Sequence, residues 1–273
     1  MRVLVRARHD LGLVRRILLS VLVLCLVTAA PAYADPSRDH RLTDNPLYAA
    51  GPIPRSSCAE KPIGRPNHVP TARKYVTFVL GCLDRVWSRQ LAKAGVTYKK
   101  PRIRILDKDP KSYCGQDFWE PDRFFSLYCE DRREIMIVLD RTLLSRNPDD
   151  LYIFTLLAHH YAEHVQYLTG IEQAMYQHDE KDRPELWEYF RRFYLQSACL
   201  SGAFTGSVYR SMPRDAADWK AVVRVKGKEQ NIYYGSAKDI SYWMNRGFTL
   251  RNPEHCNTWT AMNSLVAGPY YPS

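Results

Sequence analysis

Residues 156–166 read LLAHHYAEHVQ and carry three histidines and one carboxylate within six positions. Apolar residues recur through this segment at the spacing of an α-helix, so we expect it to lie on one helix. Side chains four residues apart share a helix face and lie about one turn apart. His159 and Glu163 therefore form one potential chelating pair on this helix, and His160 and His164 form another.

The helix that carries this segment is predicted to span residues 149–168. Asn147 suits the N-cap, Pro148 suits the first turn, and Gly170 lies just past the end. The apolar face forms a core stripe, made of Leu151, Phe154, Leu157, Ala158, Tyr161, Val165 and Leu168. A polar stripe lies away from that face, made of Thr155, His159, Glu163 and Gln166. A polar stripe on an otherwise apolar helix predicts that the helix forms the floor of a cleft.

Taken literally, residues 160–164 match H-x-x-E-H, the inverted zinc-protease motif. In that motif the two histidines bind the metal and the glutamate activates water. Only three of the five positions are fixed, so the pattern is moderately specific. The alternative is a polar helix face whose histidines are satisfied by hydrogen bonds, and the motif taken alone slightly favours this alternative.

Further short motifs flank this helix in order: SYCG at 112–115, LYC at 127–129, IVLD at 137–140, LQSACLSG at 195–202 and PEHCNTW at 253–259. Together with the segment from Ala158, they resemble the neutral zinc metallopeptidase family over residues 71–262. Several weak motifs in sequence are jointly more specific than any one of them. The resemblance implies an α+β, zincin-like metallopeptidase domain, mainly helical with a small β-sheet, in which zinc assists peptide hydrolysis.

The same resemblance implies ligand positions, and this chain departs from most of them. His159 keeps the first metal ligand of the family. The general-base glutamate falls at His160, and the second histidine ligand falls at Glu163. The downstream acidic ligand falls at Tyr194, and an aspartate of the family falls at Ala198. Histidine and glutamate have thus exchanged places, and both downstream acids are missing.

Two arrangements of zinc remain open from the residues. In the first, His159 and Glu163 bind the metal and His160 is the base. In the second, His160 and His164 bind the metal and Glu163 is the base. The candidate metal ligands are therefore His159, Glu163 and His164, and the candidate catalytic groups are Glu163 and His160. Catalytic zinc normally has three protein ligands. On the second long helix no acidic third ligand is evident after Glu188, and Glu185 and Glu188 lie a turn or more too early.

Losing the base and two ligands together is hard to repair, because each group has a distinct role. The sequence therefore favours a catalytically impaired relative that keeps its cleft to bind a peptide or a cell-wall component. The alternative is an active zinc-dependent peptidase that uses the rearranged histidine and glutamate site.

The first residues predict export. Residues 1–34 combine a basic start, an apolar run and a PAYA cleavage pattern, which is typical of a secretory signal peptide. The protein is expected to be secreted or extracytoplasmic, with no membrane span after cleavage. The net charge is +10, of which about +6 remains without the signal peptide. For an exported basic protein, acidic wall polymers or lipid head groups are more plausible counterions than nucleic acid, and a solvated basic surface without a partner is favoured over both.

Six cysteines follow the signal peptide, and an even number predicts disulfides in an oxidising compartment. Spacing alone leaves fifteen pairings open. The family resemblance implies the pairs Cys114–Cys129 and Cys199–Cys256. Cys58 and Cys82 are the two cysteines that remain, and they form the third predicted pair.

The rest of the chain divides into a leader and one domain. Residues 35–70 are rich in Pro, Arg, Asn and Ser, and they predict an extended Pro-rich leader tied down at most by Cys58. Residues 71–273 form the domain. Alternating and β-branched residues predict strands at 102–106 and 134–139. Helical spacing predicts further helices at 71–94, 184–204, 236–246 and 255–266.

Overall fold

The structure is a computed structural model that describes residues 39–61, 63, 68–117, 126–139, 150–178 and 185–269. These residues all belong to one structural unit, 36–273. The proposed signal peptide, residues 1–34, and the proposed helix start at residues 147–149 lie outside the described residues.

The described residues form a mixed helix and strand fold in which helices predominate. The α-helices are α1 (His40–Thr43), α2 (Pro46–Ala49), α3 (Val69–Lys93), α4 (Asp150–Leu168), α5 (Ile171–Gln177), α6 (Glu185–Val208), α7 (Ala216–Gly227) and α8 (Ala237–Leu250). The helices predicted from the sequence at 71–94, 149–168, 184–204 and 236–246 correspond to α3, α4, α6 and α8. The short helix α5 and the helix α7 were not predicted.

The predicted helix at residues 255–266 is wrong. Two short 3₁₀ turns take its place, Pro253–Cys256 and Asn263–Leu265. Asn257 leaves the helical region with φ −72° and ψ 93°. Its side-chain oxygen accepts a hydrogen bond from the Trp259 backbone at 3.1 Å. Its amide donates to the Thr43 carbonyl at 2.9 Å, so side-chain bonds to the backbone replace a helical ladder here.

The strands form two small sheets. They are β1 (Arg102–Leu106), β2 (Ser112–Tyr113), β3 (Gln116–Asp117), β4 (Ser126–Cys129) and β5 (Glu134–Val138). The larger sheet has the order β1-β5-β4, with β1 parallel and β4 antiparallel to β5. The pair β2 and β3 forms a separate antiparallel hairpin. Both strands predicted from the sequence are confirmed, at β1 and β5.

Helices α6 and α8 approach one another to backbone contact. A Cβ atom at Gly247 would lie 1.9 Å from the Cys199 carbonyl oxygen, and one at Gly202 would lie 2.3 Å from that of Met244. On the next turn, a Cβ atom at Gly206 would lie 2.1 Å from the Phe248 oxygen. Glycine is therefore required at three successive contacts along this helix pair.

Three disulfides link distant parts of the chain, and all three predicted pairs are confirmed. The bonded pairs are Cys58–Cys82, Cys114–Cys129 and Cys199–Cys256. The first joins the segment before α3 to α3 itself. The second joins the turn of the β2–β3 hairpin to the last residue of β4, and the third ties α6 to the 3₁₀ turn at Pro253–Cys256.

Residues 39–61 do not form the extended leader expected from their composition. The segment contains α1 and α2, and its few apolar side chains, including Leu42, Leu47 and Ile53, are fully buried. The Ile53 backbone donates a hydrogen bond to the Arg251 carbonyl at 2.7 Å, and that of Ser56 donates to Ser207 at 3.0 Å. Backbone hydrogen bonds and a small number of buried side chains hold a segment whose average composition is polar.

No described helix is both long enough and apolar enough to cross a lipid bilayer.

Candidate functional site

Helix α4 is buried on several sides, so its polar stripe lies against other parts of the protein where an open cleft was predicted. It packs against α3, α6, α7 and strand β4. His159 is 7% exposed, Glu163 5% and Gln166 0%. The prediction that this stripe borders an open cleft is therefore wrong at Gln166, whose side chain is covered by α6. The Gln166 amide donates to the Phe193 carbonyl at 3.1 Å, and its oxygen accepts from Ser197 at 2.5 Å.

The Glu163 carboxylate is held between two histidines of the same helix. Its Oε2 atom lies 2.8 Å from Nδ1 of His160, and its Oε1 atom lies 3.4 Å from Nε2 of His159. Burial alone would raise the pKa of Glu163, but the charge of His160 and hydrogen bonds from both histidines outweigh burial and lower it to about 2. The carboxylate is therefore ionised and engaged by its neighbours.

The imidazole of His159 contacts two tyrosine rings from other parts of the chain. Its ring stacks beside Tyr194, with 6.4 Å between centroids and 12° between planes, and it meets Tyr234 edge-on. Its Nδ1 atom is buried and has no hydrogen-bond partner among the described residues. Burial lowers the pKa of His159, and Glu163 opposes that shift only in part.

His164 does not join this group. One ring nitrogen, Nδ1, lies 3.0 Å from the Tyr128 hydroxyl, and Nε2 lies 2.7 Å from the Lys99 carbonyl oxygen. Both nitrogens are thus engaged on the side of α4 that faces β4 and the chain before β1. The structure brings His159, His160 and Glu163 together and places His164 elsewhere.

Tyr194 of α6 faces His159 from the neighbouring helix. Its ring also contacts Tyr234, with 4.6 Å between centroids. Burial raises the pKa of Tyr194 well above its ordinary value, and the nearby Tyr234 and Glu163 add to that shift. A phenol in this setting stays protonated at neutral pH and is a poor metal ligand.

A second polar pair, Glu229 and Lys226, interacts with His159 through its charges and was missed from the sequence. Glu229, just after α7, accepts a hydrogen bond from the Tyr152 hydroxyl at 2.8 Å and pairs with Lys226. Lys226 in turn lowers the pKa of His159 through its charge. The signal that could have located α7 is Asp215 with Asp218 three residues later, which form a capping box.

Glu172 of α5 was also missed. Its side chain is 4% exposed, and its Oε2 atom has no hydrogen-bond partner among the described residues. Burial raises its pKa to about 9, and the charges of Glu130, Glu163 and Asp131 add to the shift. Glu172 is therefore a neutral carboxylic acid at physiological pH.

Residues 49–219 match the sequence model of a protein family described as "Putative neutral zinc metallopeptidase". This chain belongs to that family. The match spans the site helix α4 and the facing helix α6, and it begins within the segment that composition alone assigned to a leader. It thus confirms the family resemblance drawn from the motifs.

Two curated relatives in this comparison come from Escherichia coli. Both are named "Uncharacterized protein YpfJ", one from strain K12 and one from an O6:H1 strain. Each is 23% identical to this chain over 211 residues, which cover 69% of this chain and 71% of the relative. No solved structure matches the chain.

Membership in a zinc metallopeptidase family implies a bound zinc ion, which would need ligands from the side chains around His159. Within the described residues, no group of three or more His, Cys, Asp or Glu side chains is arranged to hold a metal ion. His159 and Glu163 are two donors on one helix, and the side chain that faces His159 from α6 is the phenol of Tyr194. Catalytic zinc normally requires three protein ligands and an open position, so these residues do not fit the catalytic zinc of the family.

Proposed function

We propose that this protein is an exported member of the neutral zinc metallopeptidase family with a zincin-like fold, impaired or inactive as a peptidase, that retains the site around His159 for binding. The observation that carries this proposal is the engagement of the Glu163 carboxylate by both His159 and His160. The two histidines lower the pKa of this carboxylate to about 2, and so acidic a group is a weak general base for the activation of water.

The chemistry of metal-assisted hydrolysis supports the same conclusion. A zinc peptidase needs ligands that hold the ion, a base that takes a proton from water, and space for the scissile carbonyl. Here the position of the family's base carries His160, which is paired with Glu163. The position of its downstream acid carries Tyr194, a protonated phenol beside His159.

Export is supported by the cysteines. Cys58, Cys82, Cys129, Cys199 and Cys256 are buried, and each is disulfide-bonded. Disulfides of this kind form and persist in oxidising compartments. The sequence of residues 1–34 provides the matching export signal.

A run of aromatic rings supports binding of a peptide or a cell-wall component. Trp187 and Tyr233 are 37% and 39% exposed, and their ring centroids lie 4.8 Å apart. Phe190 contacts Tyr233 at 5.9 Å and Tyr194 at 6.4 Å. The rings continue from this exposed edge to Tyr194, which contacts His159. Aromatic faces of this kind bind apolar and sugar surfaces while tolerating water at their edges.

The alternative is an active zinc-dependent peptidase that uses the rearranged site. The unpartnered Nδ1 atom of His159 favours it, because a buried nitrogen without a partner is costly unless something binds it. The H-x-x-E-H arrangement would require His164 to turn toward Glu163. That turn would break the bonds from His164 to Tyr128 and Lys99, so the structure favours the impaired site.

Two measurements on the purified mature protein test the proposal. Elemental analysis after dialysis is expected to find far less than one zinc per chain, and a general protein substrate is expected to remain uncleaved. The matched control is the His159→Ala variant, which should give the same two results. Stoichiometric zinc in the wild type that is lost in the variant, together with cleavage that a chelator stops, would show that the protein is an active metallopeptidase.

A further inference from the structure

A groove of about 420 Å³ lies between α7 and α8, away from the histidine site. Three cationic side chains line it, Lys220, Arg224 and Lys228. They are spaced four residues apart, so they form one row along the face of α7 and its C-cap. Four residues of helix rise about 6 Å, and the row therefore extends for about 12 Å.

The positive charge of this row is not neutralised. All three side chains are exposed, and no ion pair involves any of them among the described residues. The described residues that line the groove include no carboxylate. Like charges at a spacing of four residues destabilise a helix by about 0.2–0.5 kcal/mol per pair, so the row is unfavourable for α7 taken alone.

The opposite wall adds polar groups and leaves room. Gln230, Ser241 and Asn245 contribute amide and hydroxyl groups to the lining. Gly227 and Ala237 place no long side chain in the groove, and a Cβ atom at Gly227 would make ordinary contact with Ala237 and Ser241 at 3.6 Å. The backbone N–H of Ala237, the first residue of α8, already donates to Gln230 Oε1 at 3.2 Å, which leaves the Gln230 NH₂ group to donate to a ligand.

We propose that this groove binds a linear polyanion whose negative charges are phosphate groups. Arg224 at the centre offers the planar, forked set of donors that suits a phosphate, and the flanking lysines supply point charges on either side. A single small anion would satisfy only one or two cations of a row about 12 Å long. An extended chain with charges along its length satisfies all three, with Gln230 and Ser241 as additional hydrogen-bonding partners.

The test uses full-length mature protein and fluorescently labelled long-chain inorganic polyphosphate, with binding followed by fluorescence anisotropy at several salt concentrations. The variant Lys220→Gln/Arg224→Gln/Lys228→Gln is expected to bind at least about tenfold more weakly. It should also lower the slope of log affinity against log salt by about 2, because two to three phosphate contacts are lost. The matched control is Arg89→Gln/Lys108→Gln/Lys111→Gln, which removes the same three charges from exposed positions elsewhere and should change the affinity less than about twofold.

Several outcomes would overturn the proposal. Equal losses in both triple variants would show that polyphosphate responds only to overall charge. Absence of polyphosphate binding at low salt would also end it. So would binding to vesicles of phosphatidylglycerol and phosphatidylcholine that polyphosphate does not compete away, since that would assign the groove to a membrane surface. The single variant Arg224→Gln guards against a folding defect, and it should weaken binding without lowering the thermal unfolding midpoint, because it relieves the repulsion along α7.

Discussion

The Oε2 atom of Glu163 lies 2.8 Å from the Nδ1 atom of His160, three residues earlier on α4. Under our proposal, these are the two positions at which this chain exchanges the histidine and the glutamate of the family motif. The exchange places an acid and a histidine within hydrogen-bonding reach on one helix, so they satisfy one another. The pair holds Glu163 ionised and lowers its pKa to about 2, which makes this carboxylate a weak base.

Reversing the exchange is expected to create a zinc site. The variant His160→Glu/Glu163→His/Tyr194→Glu would supply ligands at positions 159, 163 and 194 and a base at position 160. Zinc affinity should rise at least about tenfold over the wild type, because the variant supplies a complete set of three protein ligands. Isothermal titration with zinc and elemental analysis measure it.

The control for this variant is His160→Glu/Glu163→His, which keeps Tyr194. It lacks the acid from α6, so it should bind zinc more weakly than the triple variant. Equal zinc affinity in the wild type and the triple variant would contradict our account of why the site is impaired.

His164 is expected to be structural. The variant His164→Phe keeps a ring of similar size but leaves the Lys99 carbonyl and the Tyr128 hydroxyl without this partner. It should lower the free energy of unfolding by about 1–3 kcal/mol, mainly the cost of leaving the buried Tyr128 hydroxyl unpaired. Chemical denaturation measures this change. The exposed His40→Phe variant should alter stability by less than about 0.5 kcal/mol. A change in zinc content in His164→Phe would instead point to a ligand.

The glycine contacts between α6 and α8 predict a large effect from a single methyl group. Gly247→Ala would force two helix backbones apart, because its Cβ atom would lie 1.9 Å from the Cys199 oxygen. We expect a loss of more than about 3 kcal/mol in the free energy of unfolding. The matched control is Gly81→Ala in α3, where the nearest atom would be Arg85 Nη1 at 3.8 Å. There the higher helix propensity of alanine should stabilise the protein by about 0.5–1 kcal/mol.

From the raised pKa of the buried Glu172 carboxyl group, we expect an unusual pH dependence of the free energy of unfolding. Its folded pKa of about 9 lies above the ordinary value of 4.5, so the folded protein holds a proton that the unfolded chain releases. Its contribution to stability is therefore fully present below pH 4.5 and is lost as the pH rises toward 9, by up to about 1.4 kcal/mol per pH unit. Glu172→Gln should remove that loss and flatten the stability profile between pH 5 and 9, as measured by denaturation at each pH. The exposed Glu254→Gln variant should keep the wild-type profile, and an unchanged profile in Glu172→Gln would refute the prediction.

The sequence predicted those parts of the fold that depend on local periodicity. Helices α3, α4, α6 and α8 each carry an apolar face at helical spacing, so their existence was evident and only their ends were displaced. The 3₁₀ turns after α8 were mistaken for a helix, because the pattern does not show that Asn257 bonds to the backbone of Trp259 and of Thr43. Helix α5 was missed because it is only seven residues long.

The sequence predicted the contacts of the candidate site that lie within one helix, and it did not predict those that depend on other elements. His159, His160 and Glu163 lie within one turn and a half of a helix, so their proximity follows from the spacing. The burial of Gln166 beneath α6 depends on how the two helices pack, and the spacing of residues along the sequence does not predict this packing. The same holds for Glu172, whose altered pKa arises from burial and from carboxylates on other elements.

The packing of residues 39–61 against the helices has a practical consequence for recombinant expression. A truncated protein that starts at residue 69, where the long helical pattern begins, would lose the side chains of Leu42, Leu47 and Ile53 from the interior. It would also leave Cys82 as a free thiol without Cys58. Such a fragment should aggregate or form mixed disulfides, so the shortest useful expression boundary is at or before residue 39.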